Sequence, residues 1–499
     1  MPPTTNYTNP PHTDEYDDDD EHKIYGDPET YALRKLFIHI GLVVALFFTW
    51  LTYKLFEPPL TPPDFTNYTY LHTLNASALD LDAPNRRIIM VGDLHGMMHS
   101  FDNLMSKLHY NPEDDLIVHM GDIVAKGPHS NELLSRFAAS NITGVRGNND
   151  QKVIEWYGWI SWVESHSSGA RWLKAIEKEN ISTKEAKKMG LYENSKYPFA
   201  EDWEWNGDHY HVARKMSPED YTYLTSLPIL IHLPSLHTFM VHGGLLPADF
   251  LHHLHSKRQP LAKVPKSLPH NPTYADIERA RTVQELSLLK GVEANKDPYV
   301  LMNIRDLHDL RPSRRGPKGH DDVVPWSEAW NSVIDRCHGF DDEGGNGGGS
   351  DEDQGKDKKK RKKQKKQPKN RFDLVSSDHQ TRLEEDVEEF DDWNDSTART
   401  NLPCHPITVV YSHASSRGLD LKSWSKGLDT GCVNGNGLTA MILGAGRHRF
   451  PVKGHKHGSE GGNDDDDGKD SARDIEIPFG ENLHARLVTV ACPTPPEQD

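Results

Sequence analysis

The chain has 499 residues, only 35 % of them hydrophobic, and a formal charge of −18. That length accommodates two or three domains, or one large domain with tails and insertions, and the low apolar fraction favours the second arrangement with much of the chain solvated. The acidic balance excludes a general nucleic-acid binder, so no nucleic-acid partner is expected.

Acid is concentrated in "DEYDDDDE" near the start, "DEGGNGGGSDEDQ" after Phe340 and "GGNDDDDGKD" after Glu460, which read as solvated tails and loops. The first lies in an acidic tail over residues 1–33. From Leu36 to Tyr53 the chain then runs 18 residues without a formal charge, close to the roughly 20 needed to cross a bilayer. This predicts a transmembrane signal anchor over 34–56. A cleaved signal peptide fits less well, because the acidic tail precedes the run and no small-residue cleavage site follows it; a buried core helix is the remaining alternative. Arg34 and Lys35 precede the span while Lys54 is offset by Glu57, so the positive-inside rule places the amino terminus in the cytosol and everything after Phe56 in a lumen, a single-pass type II arrangement. Sequons at Asn67, Asn75, Asn180 and Asn394 agree with a lumenal glycoprotein.

Pro58, Pro59, Pro62 and Pro63 predict a stiff stalk over 57–84, with the fold beginning near Asn85. Apolar runs then end in "RRIIMVGD", "DDLIVHMGD" and "ITGVRGN", about 26 to 29 residues apart, a βαβ rhythm. Residues 151–235, rich in tryptophan, glutamate and lysine, read as a helical cap. The runs "LHTFMVHGG", "PITVVYSHAS", "LTAMIL" and "HARLVTVAC" supply further strands. The catalytic domain is thus expected over 85–338 and 403–495. Between them, 339–402 is a glycine-rich polyampholyte carrying "KDKKKRKKQKKQPKNR", expected to be a disordered insertion. Its lysine run reads as a solvated loop, with capture of a polyanion and nuclear localisation as the other readings. A second acidic, glycine-rich loop is expected over 452–474. Cys337, Cys404, Cys432 and Cys492 lack metal-site spacing, and spacing alone does not pair them.

The chemistry gathers where these strands end: Asp93 and His95 in "GDLHG", Asp122 in "GDIVAKG", Asn148 in "GNND", His242 in "VHGG" and His413 in "YSHAS". Open α/β sheets build their sites at the carboxyl ends of strands. Three histidines, two carboxylates and a carboxamide suit zinc, manganese, iron or cobalt better than calcium or magnesium.

This ordered set resembles the calcineurin-like metallophosphoesterase superfamily, whose signature runs D-x-H, G-D, G-N-[HE], H and H. "GLDTGCVNGNGLTAMIL" and "RGLDL" are similar to the bacterial diadenosine tetraphosphate hydrolase branch; the membrane anchor and "PWSEAWN" are similar to the fungal vacuolar endopolyphosphatases. The resemblance implies an α/β fold, a sandwich of mixed β-sheets flanked by helices, and two divalent metal ions. Asp93, His95 and Asp122 would hold the first ion, and Asp122, Asn148, His242 and His413 the second, with Asp122 bridging. Such a pair sits about 3.5 to 4 Å apart and presents a bridging hydroxide for in-line attack on phosphorus. Arg146 stands where the family grips phosphate, Lys126 replaces the arginine of GDxxDRG, and Arg417 is a third phosphate-binding candidate. In the family's protein phosphatases a His–Asp dyad protonates the leaving group; here Asn149 and Ala125 fill its two places.

A phosphate leaving group departs without a proton, whereas an alkoxide needs one. The expected function is therefore a hydrolase of phosphoanhydride bonds, foremost inorganic polyphosphate, at the vacuole membrane. A diadenosine polyphosphate hydrolase, a Ser/Thr protein phosphatase and an inert metal-stabilised adaptor are the alternatives.

Overall fold

Apolar and β-branched runs form the strands expected from the sequence, and several short ones besides. The computed structural model describes residues 28–55, 59–75, 83, 85–313, 323–340, 401–444 and 475–494. Most of the tail expected over 1–33 and of the insertion over 339–402, all of the loop over 452–474, and Asn394 lie outside the described residues.

The chain divides into two units, Met1–Thr61 with Gly190–Pro198, and Pro62–Met189 with Phe199–Asp499. In the first, Pro28–Leu55 form one helix. Its stretch Glu29–Tyr53 has a mean hydropathy of 2.0 and none of it is buried, so it is long and apolar enough to cross a membrane or to serve as a signal sequence.

The second unit is mixed α/β. Its strands are β1 (Thr69–Thr73), β2 (Arg87–Val91), β3 (Asp115–His119), β4 (Thr143–Gly144), β5 (Pro228–Leu233), β6 (Thr238–Val241), β7 (Asp306–His308), β8 (Arg311–Ser313), β9 (Val323–Pro325), β10 (Thr408–Tyr411), β11 (Asp420–Leu421), β12 (Ser425–Gly427), β13 (Gly437–Gly444), β14 (Ile475–Phe479) and β15 (Leu483–Ala491). Two six-stranded sheets run in the orders β1-β5-β6-β10-β12-β11 and β14-β15-β13-β2-β3-β4; β8-β7-β9 form a small third. The βαβ rhythm appears as β2, β3 and β4 pairing in parallel, with helices Met98–Leu108 and Ser130–Ser140 as crossovers.

Because side chains alternate along a strand, the fully buried strands β2, β5, β6 and β10 of the two large sheets bury both faces. Ile88, Met90 and Val118 of one sheet meet Ile231, Met240 and Val410 of the other to form the inner core. Leu230, Phe239, Val241 and Val409, one residue out of phase, pack with Leu288, Trp326 and Trp330 of the helices behind. All four cysteines are paired. Cys337–Cys404 joins the two ends of the chain that flank the expected insertion, and Cys432–Cys492 ties the start of β13 to the end of β15.

Two expectations shift at the domain's edges. Within the stretch read as a stalk, Thr69–Thr73 form an edge strand in parallel with β5, and the Phe65 ring lies 6.4 Å from that of Trp162; the prolines upstream masked a β-branched and aromatic run. The cap read over 151–235 is helical from Asn148 to Ser226 with breaks. Its last stretch is β5, whose six residues are all buried, as suits an apolar run inside a sheet.

Candidate metal centre

Asp93 and His95 follow β2, Asp122 follows β3, Asn148 follows β4, His242 follows β6 and His413 follows β10. Parallel pairing of β2, β3 and β4 and of β6 and β10 aligns these ends, and the sandwich brings the two edges together. Tight turns make the alignment possible. His95, Asp122 and His413 have φ of 44°, 51° and 73°, left-handed conformations that tertiary contacts must sustain in non-glycine residues. Gly147 lets the third loop close on the second, since a Cβ there would lie 2.2 Å from the Asp122 backbone nitrogen and from its Oδ1.

The geometry is convergent. His95 Nε2 lies 3.6 Å from Asp93 Oδ2 and 3.5 Å from Asp122 Oδ2. His242 Nε2 lies 3.4 Å from Asp122 Oδ2, 3.1 Å from Asn148 Oδ1 and 3.2 Å from His413 Nδ1. Asp93, His95 and Asp122 make one potential metal-holding group, and Asp122, His242 and His413 a second; Asp122 is common to both, and all five are buried. Each histidine donates its other ring N–H to a backbone carbonyl: His95 to Val124 at 3.2 Å, His242 to Met120 at 2.7 Å and His413 to Asn303 at 3.2 Å. This second contact is the usual way of orienting a ligating imidazole.

The electrostatics make the same demand. Burial alone would push Asp122 up, but His242 and His95 hold it well below the usual carboxylate range. Burial would likewise push His242 down, yet Asp122 and Asp93 raise it to about 9. Burial and the neighbouring Asp429 push Asp93 well above its ordinary range. The cluster thus draws positive charge, as a proton on His242 or as metal ions. Its inward-facing atoms, carboxylate and carboxamide oxygens with imidazole nitrogens, fit divalent transition metals.

The remaining candidates fall in different places. Lys126 puts Nζ 3.0 Å from His95 Nε2, so it and a cation on that nitrogen compete for one lone pair. Asn149 sits in the cluster's wall: its backbone N–H donates to Asp122 Oδ1 at 2.8 Å and its side-chain Nδ2 to Asp122 Oδ2 at 2.5 Å. Arg146, expected to grip phosphate, turns away. Its fully buried guanidinium donates to the carbonyls of Thr66, Asn67 and Thr225 and to Gln151 Oε1. Those acceptors engage both terminal nitrogens and leave only Nε without a partner, so Arg146 clamps the segment before β1 to the helices. Arg417 donates Nη2 to Arg305 O at 2.9 Å and to Asp306 Oδ1 at 2.5 Å, and Arg305 in turn donates to His413 O at 3.0 Å. Arg417 is therefore one residue removed from the cluster.

Sequence reasoning missed three neighbours. Asp150 accepts from the backbone N–H of Asp122, Ile123, Val124 and Gly147 at 2.9 to 3.3 Å, fastening the second and third loops together. Its place three residues after the helix-capping Gly147 was a readable signal. Asp429, in the quoted "GLDTGC", lies beside Asp93, whose carboxyl it helps to push up, and accepts from the backbone N–H of Gly431 at 3.0 Å. His209, from helix Asp208–Lys215, meets Asn149 and has no motif to announce it. Beside Asn148 and Asn303 opens a cavity of about 400 Å³ walled by the rings of Tyr68, Trp159, Trp203 and Tyr299 and by the carboxylates of Glu155 and Asp202.

The sequence profile of the calcineurin-like phosphoesterases matches residues 86–278. Serine/threonine-protein phosphatase 1 of Salmonella typhimurium is 28 % identical over 107 residues, 21 % of this chain and 50 % of that protein. The symmetrical bis(5'-nucleosyl)-tetraphosphatase of Haemophilus ducreyi is 45 % identical over 68 residues, 13 % of this chain and 25 % of that protein. The matched stretches thus span half the length of the first relative and a quarter of the second. A crystal structure of a protein assigned as a diadenosine tetraphosphatase is similar at 16 % identity and a TM-score of 0.34, over 75 % of this chain and 94 % of that one. The chain carries a calcineurin-like phosphoesterase domain.

Proposed function

We propose that the protein is a two-metal hydrolase of phosphoanhydride bonds, with inorganic polyphosphate as its foremost substrate. The observation that carries this reading is the pair of potential metal-holding groups with Asp122 common to both. Asp93, His95 and Asp122 would hold one divalent ion, and Asp122, Asn148, His242 and His413 the other. When bound, such a pair activates water and neutralises phosphoryl oxygens. The protein's own groups then orient the substrate. Lys126 supplies an ammonium beside His95. Asn149 offers no ionisable proton, and the nearby His209 is pushed down to about 4, chiefly by burial, so it is neutral at pH 7. With no charged acid beside the leaving group, anhydrides are favoured over alkyl phosphomonoesters.

A second reading, hydrolysis of dinucleoside polyphosphates, is favoured by one feature. The cavity beside Asn148 offers aromatic faces and carboxylates, which suit a stacked base better than a run of phosphates. Incubating the purified protein with long-chain polyphosphate, diadenosine tetraphosphate and a phosphoserine peptide, with zinc, manganese or cobalt, separates these readings. Comparable turnover of the phosphopeptide would overturn the anhydride preference.

We further infer a type II topology with the catalytic domain lumenal, in the vacuole. The helix over Pro28–Leu55 supports an anchor, and two disulfides support an oxidising compartment. Glycosidase treatment should then lower the mass, with Asn67 and Asn75 as carriers. Digestion of the catalytic domain by protease added to the cytosolic side of sealed organelles would reverse the topology.

A further inference from the structure

Asn149 reaches both oxygens of the Asp122 carboxylate, with its backbone N–H on one and its side-chain amide on the other. Its carboxamide can do this in one orientation only, with Nδ2 toward the carboxylate and Oδ1 away; the flipped amide would face oxygen to oxygen. Oδ1 meets His209 Nε2 at 2.8 Å. Since Oδ1 has no hydrogen to give, the imidazole must donate, which fixes its tautomer with a proton on Nε2. His209 reaches this place from helix Asp208–Lys215, which packs on helix Asn148–Glu164. Two helices of the cap are thereby joined to the loop carrying Asp122 through a chain of three hydrogen bonds.

We propose that His209 is a positioning residue of this site: its Nε2–H locks the Asn149 carboxamide, and Asn149 so locked sets the orientation of the Asp122 carboxylate that both potential metal-holding groups share. This rests on the two-metal reading above. An outer hydrogen bond that orients a ligand is worth about 10- to 100-fold in metal affinity or activity. The imidazole is used as a fixed donor and not as an acid. A carboxamide of similar reach therefore substitutes for it, since its N–H₂ also donates.

The test uses the full chain with manganese or zinc alone, titrated by calorimetry, and then polyphosphate turnover. Wild-type protein binds two ions. His209→Ala binds the weaker ion about 10- to 100-fold less tightly, and kcat falls in step while KM holds. His209→Gln recovers most of both, with the pH–rate profile of the wild type. In an Asn149→Ala background, adding His209→Ala costs nothing further, because the two act as one unit. Unchanged ion affinity in His209→Ala overturns the proposal alone, as does a Gln variant as impaired as Ala with a shifted pH profile, which would mean that the imidazole's own proton is used. An additive loss in the double variant also overturns it. Fewer than two ions on the wild-type protein overturns the two-metal reading and this proposal with it.

Discussion

At one edge of the domain His242 and His413 bring ring nitrogens within 3.2 Å of each other beside Asp122. Behind the strand β5, by contrast, His232 and His237 each meet an oxygen of Glu285, at 2.6 and 2.8 Å, and His237 also meets Glu278 at 3.2 Å. Both clusters hold buried histidine and carboxylate, and left-handed backbone does not separate them, since His237 has φ 46° as the residue closing the turn at 234–236. What separates them is polarity. In the second cluster every ion pair joins an imidazole nitrogen to a carboxylate oxygen, and only the buried His232 Nδ1 is left without a hydrogen-bond partner. In the first, each outer ring nitrogen is spent on a backbone carbonyl, so the inner nitrogens and the carboxylates face one another and require a cation. A histidine cluster is read as a ligand set by where its second nitrogens go.

The strongest way to break this distinction is Asp122→Asn. Neutralising the shared carboxylate removes charge stabilisation worth about 4 kcal/mol, a roughly 10³-fold loss of turnover, and with it the two-ion stoichiometry. A folded Asp122→Asn protein that keeps two ions and wild-type rate would erase the functional half of the comparison.

Asp150→Asn comes next. One carboxylate now accepts four backbone N–H groups, two per oxygen. An amide turns one of those oxygens into a donor, leaving two buried N–H groups unpaired at about 1 to 3 kcal/mol each. The expected loss of about 2 to 6 kcal/mol is readable by urea unfolding, and ion affinity should fall with it because the Asp122 loop loosens. An Asp150→Asn protein of wild-type stability would show that other contacts hold the loops.

How much of this was legible beforehand follows from the range of each interaction. Asp93, His95, Asp122, Asn148, His242 and His413 announce themselves because strand periodicity puts them at strand ends, and a parallel sheet aligns those ends. Arg146 was misread because its acceptors, the carbonyls of Thr66, Asn67 and Thr225, lie about 80 residues away in sequence on either side, and no local pattern marks a carbonyl as an acceptor. β1 was hidden for a related reason: an edge strand declares itself through its partner, here β5, and its own composition is dominated by the prolines before it. His209 combines both difficulties. The pairing of the four cysteines was equally closed to spacing, since each disulfide joins residues 60 or more apart.

The comparison also predicts what the closed cluster should not do. Glu285→Gln should leave ion stoichiometry and turnover at wild-type levels while lowering stability by about 1 to 3 kcal/mol, since a buried charged acceptor of two histidine bonds is lost. Any loss of bound metal in this variant would mean that the two clusters are not distinct.

The smallest effect is the pH dependence of that same difference. Burial pushes Glu285 up, but the bonds from His232 and His237 outweigh it and hold the carboxyl below its usual range. A carboxyl depressed in the folded state binds its proton first in the unfolded chain, so it stabilises the fold above the unfolded value, about 4.3, and this contribution is lost as pH falls through the folded value. The gap in unfolding free energy between wild type and Glu285→Gln should therefore be flat from neutral pH to about 5 and narrow below about 4.3, as wild type loses what the variant never had. Urea titrations at pH 7, 5 and 3.5 measure it. A gap that stays constant to pH 3.5 would mean that Glu285 takes up its proton equally readily in the folded and unfolded chain, so that the bonds from His232 and His237 do not depress it.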